Sequence, residues 1–225
     1  MCIRRSHQRG QSAVEVGITI ALIAAVALLS LRVTGTRLDQ VFCRVVGAFG
    51  GSCGLLLSDD FNNLDAWQRV SGNWRNENGQ LCGGPREGRI FTPLNANDYV
   101  IDLGGAALSQ GDGYGVFFRA DNVNRVNGYT FQYDPGLRGV AFRKWVNGNE
   151  ISVPLARATL PDYAWYSQDR QIQVVVNGDT FTALIDGQPV LSVTDSTYPT
   201  GSALGLRTWD NTVACFDQLR VAPAP

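Results

Sequence analysis

Arg119, Gln132, Arg143, Arg207 and Trp209 are the side chains of this sequence best suited to holding a ligand. A guanidinium presents five N–H donors in a planar fork, an amide both donates and accepts, and an indole offers an apolar platform. Together they suit carbohydrate, particularly acidic sugars or other carboxylates. Their spacing is that of strands. Alternation in residues 114–120 puts Gly115, Phe117 and Arg119 on one face. In 128–134 it aligns Thr130, Gln132 and Asp134, and in 140–145 Ala141, Arg143 and Trp145. Meander pairing would set these rows side by side. Residues 203–209 have the same character, with Ala203, Gly205, Arg207 and Trp209 on one face. A second assignment has the arginines paired with Asp134 and Asp210 on a solvated sheet, and both stay open.

Other chemistry is poorly supplied. His7 is the single histidine, so a Ser-His or Cys-His nucleophile lacks its base in the rest of the chain. Without a C-x-x-C pair or further histidines, zinc has no ligand set. Glycosidases need two carboxylates flanking the scissile bond, and no strand carries a dense pair. The expectation is therefore a protein that is not an enzyme and has no cofactor. Calcium is the one metal with ligands on offer, at Asp121-Asn122 and Asp210-Asn211, although such pairs also make plain turns.

The elements that must position these residues are short strands. With 225 residues, 44% of them hydrophobic, the chain is long enough for a sizeable core. Lys+Arg number 19 against 20 Asp+Glu, with Lys144 the only lysine, so a nucleic-acid partner is not expected. Twenty-five glycines and 22 aromatics point to a β-rich body. Strands are expected at 99–103, 114–120, 128–134, 140–145, 171–176, 180–185, 190–194, 203–209 and 213–221. Asn78-Gly79, Asn147-Gly148, Asn177-Gly178 and Asp186-Gly187 each separate apolar runs, the strongest short-range hairpin signal. The pattern reads as a sandwich of two antiparallel sheets. Trp67, Trp74, Phe118, Phe131, Phe142 and Phe216 are assigned to its core.

The first fifty residues differ. Residues 13–31 read AVEVGITIALIAAVALLSL, long enough to cross a bilayer, with Glu15 the only ionisable group. Arg4, Arg5, His7 and Arg9 precede this run and hold the N-terminus in the cytoplasm, sending the β body outward. Leu38, Val41, Phe42, Val45 and Val46 prolong the helical period until Gly47 and Gly50-Gly51, an extension that a secretory signal peptide does not need. The stretch 9–16, RGQSAVEV, resembles the processing site of type IV pilins, nearest the type IVb Flp/Tad group, although Val16 replaces the usual tyrosine. That resemblance implies peptidase cleavage between Gly10 and Gln11. It also implies an assembly role for Glu15, which would pair with the new ammonium of a neighbouring subunit and fix register.

Over the body, DDF with Trp67, GNWRNENGQL, GYGVFFRADN, GYTFQYDPG, VVVNGDTFTALIDGQPV, GLRTW and FDQLRV are similar to concanavalin A-like lectin/glucanase jelly rolls. Within these they look most like laminin G-like and 3-keto-disaccharide hydrolase-type domains, without the E-x-D-x-x-E strand of family 16 glucanases. The expected fold class is a long N-terminal α-helix plus an all-β jelly-roll sandwich. Its parts would be a leader at 1–10, a transmembrane and assembly helix at 11–49, a junction at 50–56 and a head at 57–222. Of the three pairings open to four mature cysteines, Cys43–Cys53 would clamp the junction. Cys82–Cys215 would then join an early strand to the last, which often lie side by side in this fold. The resemblances together imply a structural pilin subunit. Its partners would be copies of itself, the prepilin peptidase and assembly machinery, and the inner membrane before assembly. Its place would be an extracellular filament, with a head that binds glycans for adhesion. The alternative is a membrane-anchored carbohydrate-binding or carbohydrate-active protein that does not polymerise.

Overall fold

The structure, a computed structural model, describes residues 54–224. These form a two-sheet β-sandwich. In chain order the strands are β1 (Leu57–Asp59), β2 (Gln68–Ser71), β3 (Trp74–Glu77), β4 (Gln80–Gly83), β5 (Gly88–Pro93), β6 (Tyr99–Gln110), β7 (Tyr114–Asp121), β8 (Asn127–Asp134) and β9 (Gly139–Val146). There follow β10 (Asn149–Glu150), β11 (Ala156–Thr159), β12 (Asp169–Asn177), β13 (Thr180–Ile185), β14 (Gln188–Thr194), β15 (Ala203–Thr208), β16 (Val213–Phe216) and β17 (Gln218–Pro223). One sheet runs β14-β13-β12-β6-β16-β4-β3, with β17 beside β6 and β1 beside β17. The other runs β10-β9-β8-β7-β15-β5-β2, with β11 added to β9. All pairings are antiparallel.

Alternation supplies the core. Tyr114, Val116 and Phe118 of β7, Tyr129, Phe131 and Tyr133 of β8, and Val140 and Phe142 of β9 face inward. They meet Ile101 and Leu103 of β6, Ile172, Val174 and Val176 of β12, and Phe181 and Ile185 of β13. Every one of these is at most 4% exposed, so the driving force is apolar burial between two pleated layers. The six aromatics assigned to the core from the sequence all lie in it.

The hairpins follow from the turn residues. Asn78-Gly79, Asn147-Gly148 and Asp186-Gly187 hold both central residues at positive φ, as the two-residue turns of right-twisted strands require. Between β12 and β13 the pairing of Asn177 with Thr180 moves the turn one residue on, to 178–179. Cys82 of β4 and Cys215 of β16 are register partners and form a disulfide. The expected strand at 213–221 divides at Asp217 into β16 and β17.

One expectation needs correction. The fold class is all-β: the described residues contain no α-helix, only a 3-10 turn at Val123–Arg125. The helix expected at 11–49, Gly10, Gln11 and Glu15, and the Cys43–Cys53 pair lie outside the described residues.

Candidate functional site

The outer face of the β7–β8–β9–β15 sheet divides into two parts. At one end Phe91, Phe117, Ala120, Val126, Trp145 and Ala203 form a second, smaller apolar cluster. At the other the sheet forms the floor of an open groove of about 340 Å³, lined by Asp112, Gln132, Asp134, Arg143, Glu150, Arg207 and Trp209. The meander expected from sequence is present, since β7 pairs with β8 and β8 with β9. Gln132 therefore lies opposite Ala141, two residues along from the Thr130–Arg143 pair and on the same face.

Arg207 is the centre of the groove. It is 6% exposed, and its register partners are Gly115 on β7 and Arg89 on β5. Because Gly115 has no side chain, the arginine can lie flat over β7; a Cβ there would stand 3.1 Å from Arg207 Cγ. The guanidinium carbon stacks 4.7 Å from the Trp145 ring centre and 4.8 Å from that of Trp209. Arg207 Nη1 donates to Glu150 Oε2, and Nη2 lies 3.8 Å from Glu87 Oε1. Burial pulls its pKa below the ordinary arginine value, an effect that Glu150 and Glu87 oppose. It stays charged at any working pH.

The remaining polar groups gather around Glu150. Gln132 Nε2 donates to Glu150 Oε2 at 2.7 Å, and Arg143 Nε lies 3.1 Å from Glu150 Oε1. Arg143 Nε also donates to Gln132 Oε1 at 2.8 Å, and its Nη1 donates to the Ser152 carbonyl at 2.6 Å. Asp134 sits at the far end, where Oδ1 accepts the Leu137 N–H at 2.8 Å. Burial raises the Asp134 pKa, against the opposing effects of that hydrogen bond and of Arg143.

Four of the five residues singled out from sequence thus meet in one place: Gln132, Arg143, Arg207 and Trp209. Arg119 does not. The β7–β8 register shifts between Phe118 and Asp121, and Arg119 takes a positive φ of 45°. The bulge breaks the alternation on which the expectation rested. Its side chain instead donates to the carbonyls of Asn97, Tyr198 and Gly178 and stacks on Phe181, joining the two sheets. Nor do Arg143 and Arg207 pair with Asp134 and Asp210; their carboxylate is Glu150. The signal for Glu150 was present in the sequence, because a two-residue turn at Asn147-Gly148 sets residue 150 opposite Trp145. Glu87 had no such signal.

The loops considered for calcium make ordinary turns. Asp121 Oδ1 accepts the Asn122 N–H at 2.8 Å and the Ser202 hydroxyl at 3.3 Å, and a 3.1 Å backbone bond from Thr212 N–H to the Trp209 carbonyl closes the turn through Asp210. Among the described residues, Glu77, Cys82 and Cys215 form a metal-type cluster, but the two sulfurs are bonded to each other.

A family model for the 3-keto-alpha-glucoside-1,2-lyase-like domain matches residues 57–222. Among curated proteins nothing matches significantly. The chain is similar to the solved carbohydrate-binding module CBM66 from Bacillus subtilis at 22% identity, with a TM-score of 0.59 over 68% of this chain and 94% of that one. It is also similar to the exoplasmic/lumenal domain of VIP36 in a Ca2+/Man3GlcNAc-bound form, at 14% identity and a TM-score of 0.60, covering 75% and 89%. A third similar structure is the endo-beta-1,3-glucanase of Pyrococcus furiosus, at 14% identity and a TM-score of 0.54, covering 74% and 93%. These likenesses establish a jelly-roll fold of the kind used by lectins and glucanases.

Proposed function

The chain belongs to the 3-keto-alpha-glucoside-1,2-lyase-like domain family, and from that premise we propose that it binds carbohydrate in the groove around Arg207. The observation that carries this reading is the convergence of Gln132, Arg143, Glu150, Arg207 and Trp209 on one partly open surface. Sugars present hydroxyls that both donate and accept, and flat C–H faces. The groove supplies guanidinium and amide donors, carboxylate acceptors and an indole. CBM66 is a carbohydrate-binding module and the VIP36 domain is known in a Man3GlcNAc-bound form, and the same fold here supports the same class of ligand.

The reading is of binding without turnover. A glycosidase would set one carboxylate as acid and a second as base or nucleophile across the scissile bond. Glu150 is held by Gln132, Arg143 and Arg207, and Asp134 accepts from the backbone. Asp112 is exposed at the rim. Titration of the full-length protein with a panel of oligosaccharides tests the proposal. Saturable binding that Gln132→Ala weakens about tenfold is expected; binding unchanged by that variant would place the ligand elsewhere, and no binding across the panel would overturn the reading.

The processing-site resemblance at RGQSAVEV adds a separable proposal, cleavage between Gly10 and Gln11 on export. N-terminal sequencing of the protein from its native cells should begin at Gln11. Retention of Arg4, Arg5 and Arg9 would overturn it.

A further inference from the structure

We infer that Glu150 occupies the position of a ligand carboxylate, so that the groove is an acidic-sugar site whose anion position is filled by an internal competitor. This rests on the carbohydrate-binding reading and specifies its ligand class. Gln132 Nε2 and Arg207 Nη1 both donate to Glu150 Oε2, and Arg143 Nε, which donates to Gln132 Oε1, lies 3.1 Å from Glu150 Oε1, so two guanidinium groups and an amide surround one carboxylate. Planar forks arranged around a point are built for a carboxylate, and the site uses its own.

The two sides of this contact differ in firmness. Arg207 is 6% exposed, locked between Trp145 and Trp209, and carries a buried Nε with no partner. Across the register its neighbour Arg89 has a buried Nε and Nη1 that are also without partners. The donor side is therefore fixed by packing and offers more N–H groups than one carboxylate accepts. Glu150 is the yielding partner. Its side chain is 25% exposed, and it stands on β10, a two-residue strand at the edge of the sheet. A carboxylated sugar entering over Trp209 would take the guanidinium contacts while Glu150 swings out to solvent around the 147–148 turn.

The experiment compares trigalacturonate with galactotriose by calorimetric titration of the full-length protein, wild type and Glu150→Gln. Removing the internal carboxylate while keeping its shape should tighten trigalacturonate about tenfold and weaken galactotriose, which loses a carboxylate acceptor. The gain should shrink as salt is raised, because the new contact is ionic. Glu150→Asp, with a shorter reach and the same charge, should give a smaller gain and guards against misfolding of the first variant. Weaker trigalacturonate binding in Glu150→Gln would mean that Glu150 contacts the sugar and would overturn the inference. So would equal affinity in both proteins. If galactotriose or another oligosaccharide of the panel binds and trigalacturonate binds neither protein, the acidic-sugar inference fails and the carbohydrate reading stands; if nothing in the panel binds, the underlying reading fails first.

Discussion

Arg207 and Gly115 face each other across β15 and β7, and the space left by the missing side chain of Gly115 is where the arginine lies. Arg207 reaches Glu150 of the far edge strand because nothing rises from β7 between them at this position. The groove therefore depends on a residue that is not part of its lining.

Gly115→Ala is expected to weaken glycan binding about tenfold with a moderate loss of stability. The added methyl would lie 3.1 Å from both Arg207 Cγ and the Phe131 carbonyl, so one of them must move. Overpacking of this kind costs about 1–3 kcal/mol. Titration together with denaturant unfolding separates the two effects; unchanged affinity would show that the position of Arg207 is not critical.

Arg119→Ala is expected to do the reverse. Three carbonyls, of Asn97, Tyr198 and Gly178, lose their donor, and the stacking on Phe181 is lost. Asn97 and Gly178 are exposed and Tyr198 half-buried, so water recovers part of these bonds; with the packing of a side chain only 3% exposed also lost, a decrease of about 1–3 kcal/mol is expected. Glycan affinity of the folded protein should stay at the wild-type value. A specific loss of affinity would return Arg119 to the site.

The contrast between these two arginines shows what the sequence makes legible. Alternation located Gln132, Arg143 and Arg207 because β8, β9 and β15 are regular where those residues stand. It failed at Arg119 because a bulge adds a residue to β7, and no local signal marks it. Asn78-Gly79, Asn147-Gly148 and Asp186-Gly187 mark their hairpins because these residues tolerate two consecutive positive φ values, whereas at Asn177-Gly178 the turn lies one residue further on. The early strands β1 to β5 were not assigned, being only three to six residues long and short of periodic signal. Glu87 entered the site through non-local packing, beyond the reach of spacing arguments.

Asp195→Asn should remove an acid-sensitive part of the stability. Burial of Asp195 works against its ionisation, but hydrogen bonds from Lys144, Thr197 and Tyr129 outweigh it and hold the carboxyl well below the usual range. Lys144 Nζ lies 2.8 Å from Oδ2, and Tyr129 Oη donates to Oδ1 at 2.6 Å. A lowered native value means stability that is present above the unfolded value of about 4 and lost as pH falls through the native one. Wild type should exceed the variant at pH 7, and the gap should close towards pH 2. A gap independent of pH would show that the ion pair is not its source.

The most direct measurement is calorimetric titration of the full-length protein and its Trp209→Ala variant with whichever oligosaccharide binds the wild type tightest. Trp209 is a wall of the groove and one of the two rings holding Arg207, while the sandwich core lies on the other face of the sheet. The account predicts a loss of affinity of about tenfold or more with a closely similar unfolding curve. Equal affinity in the two proteins would contradict it and move the binding surface off this sheet.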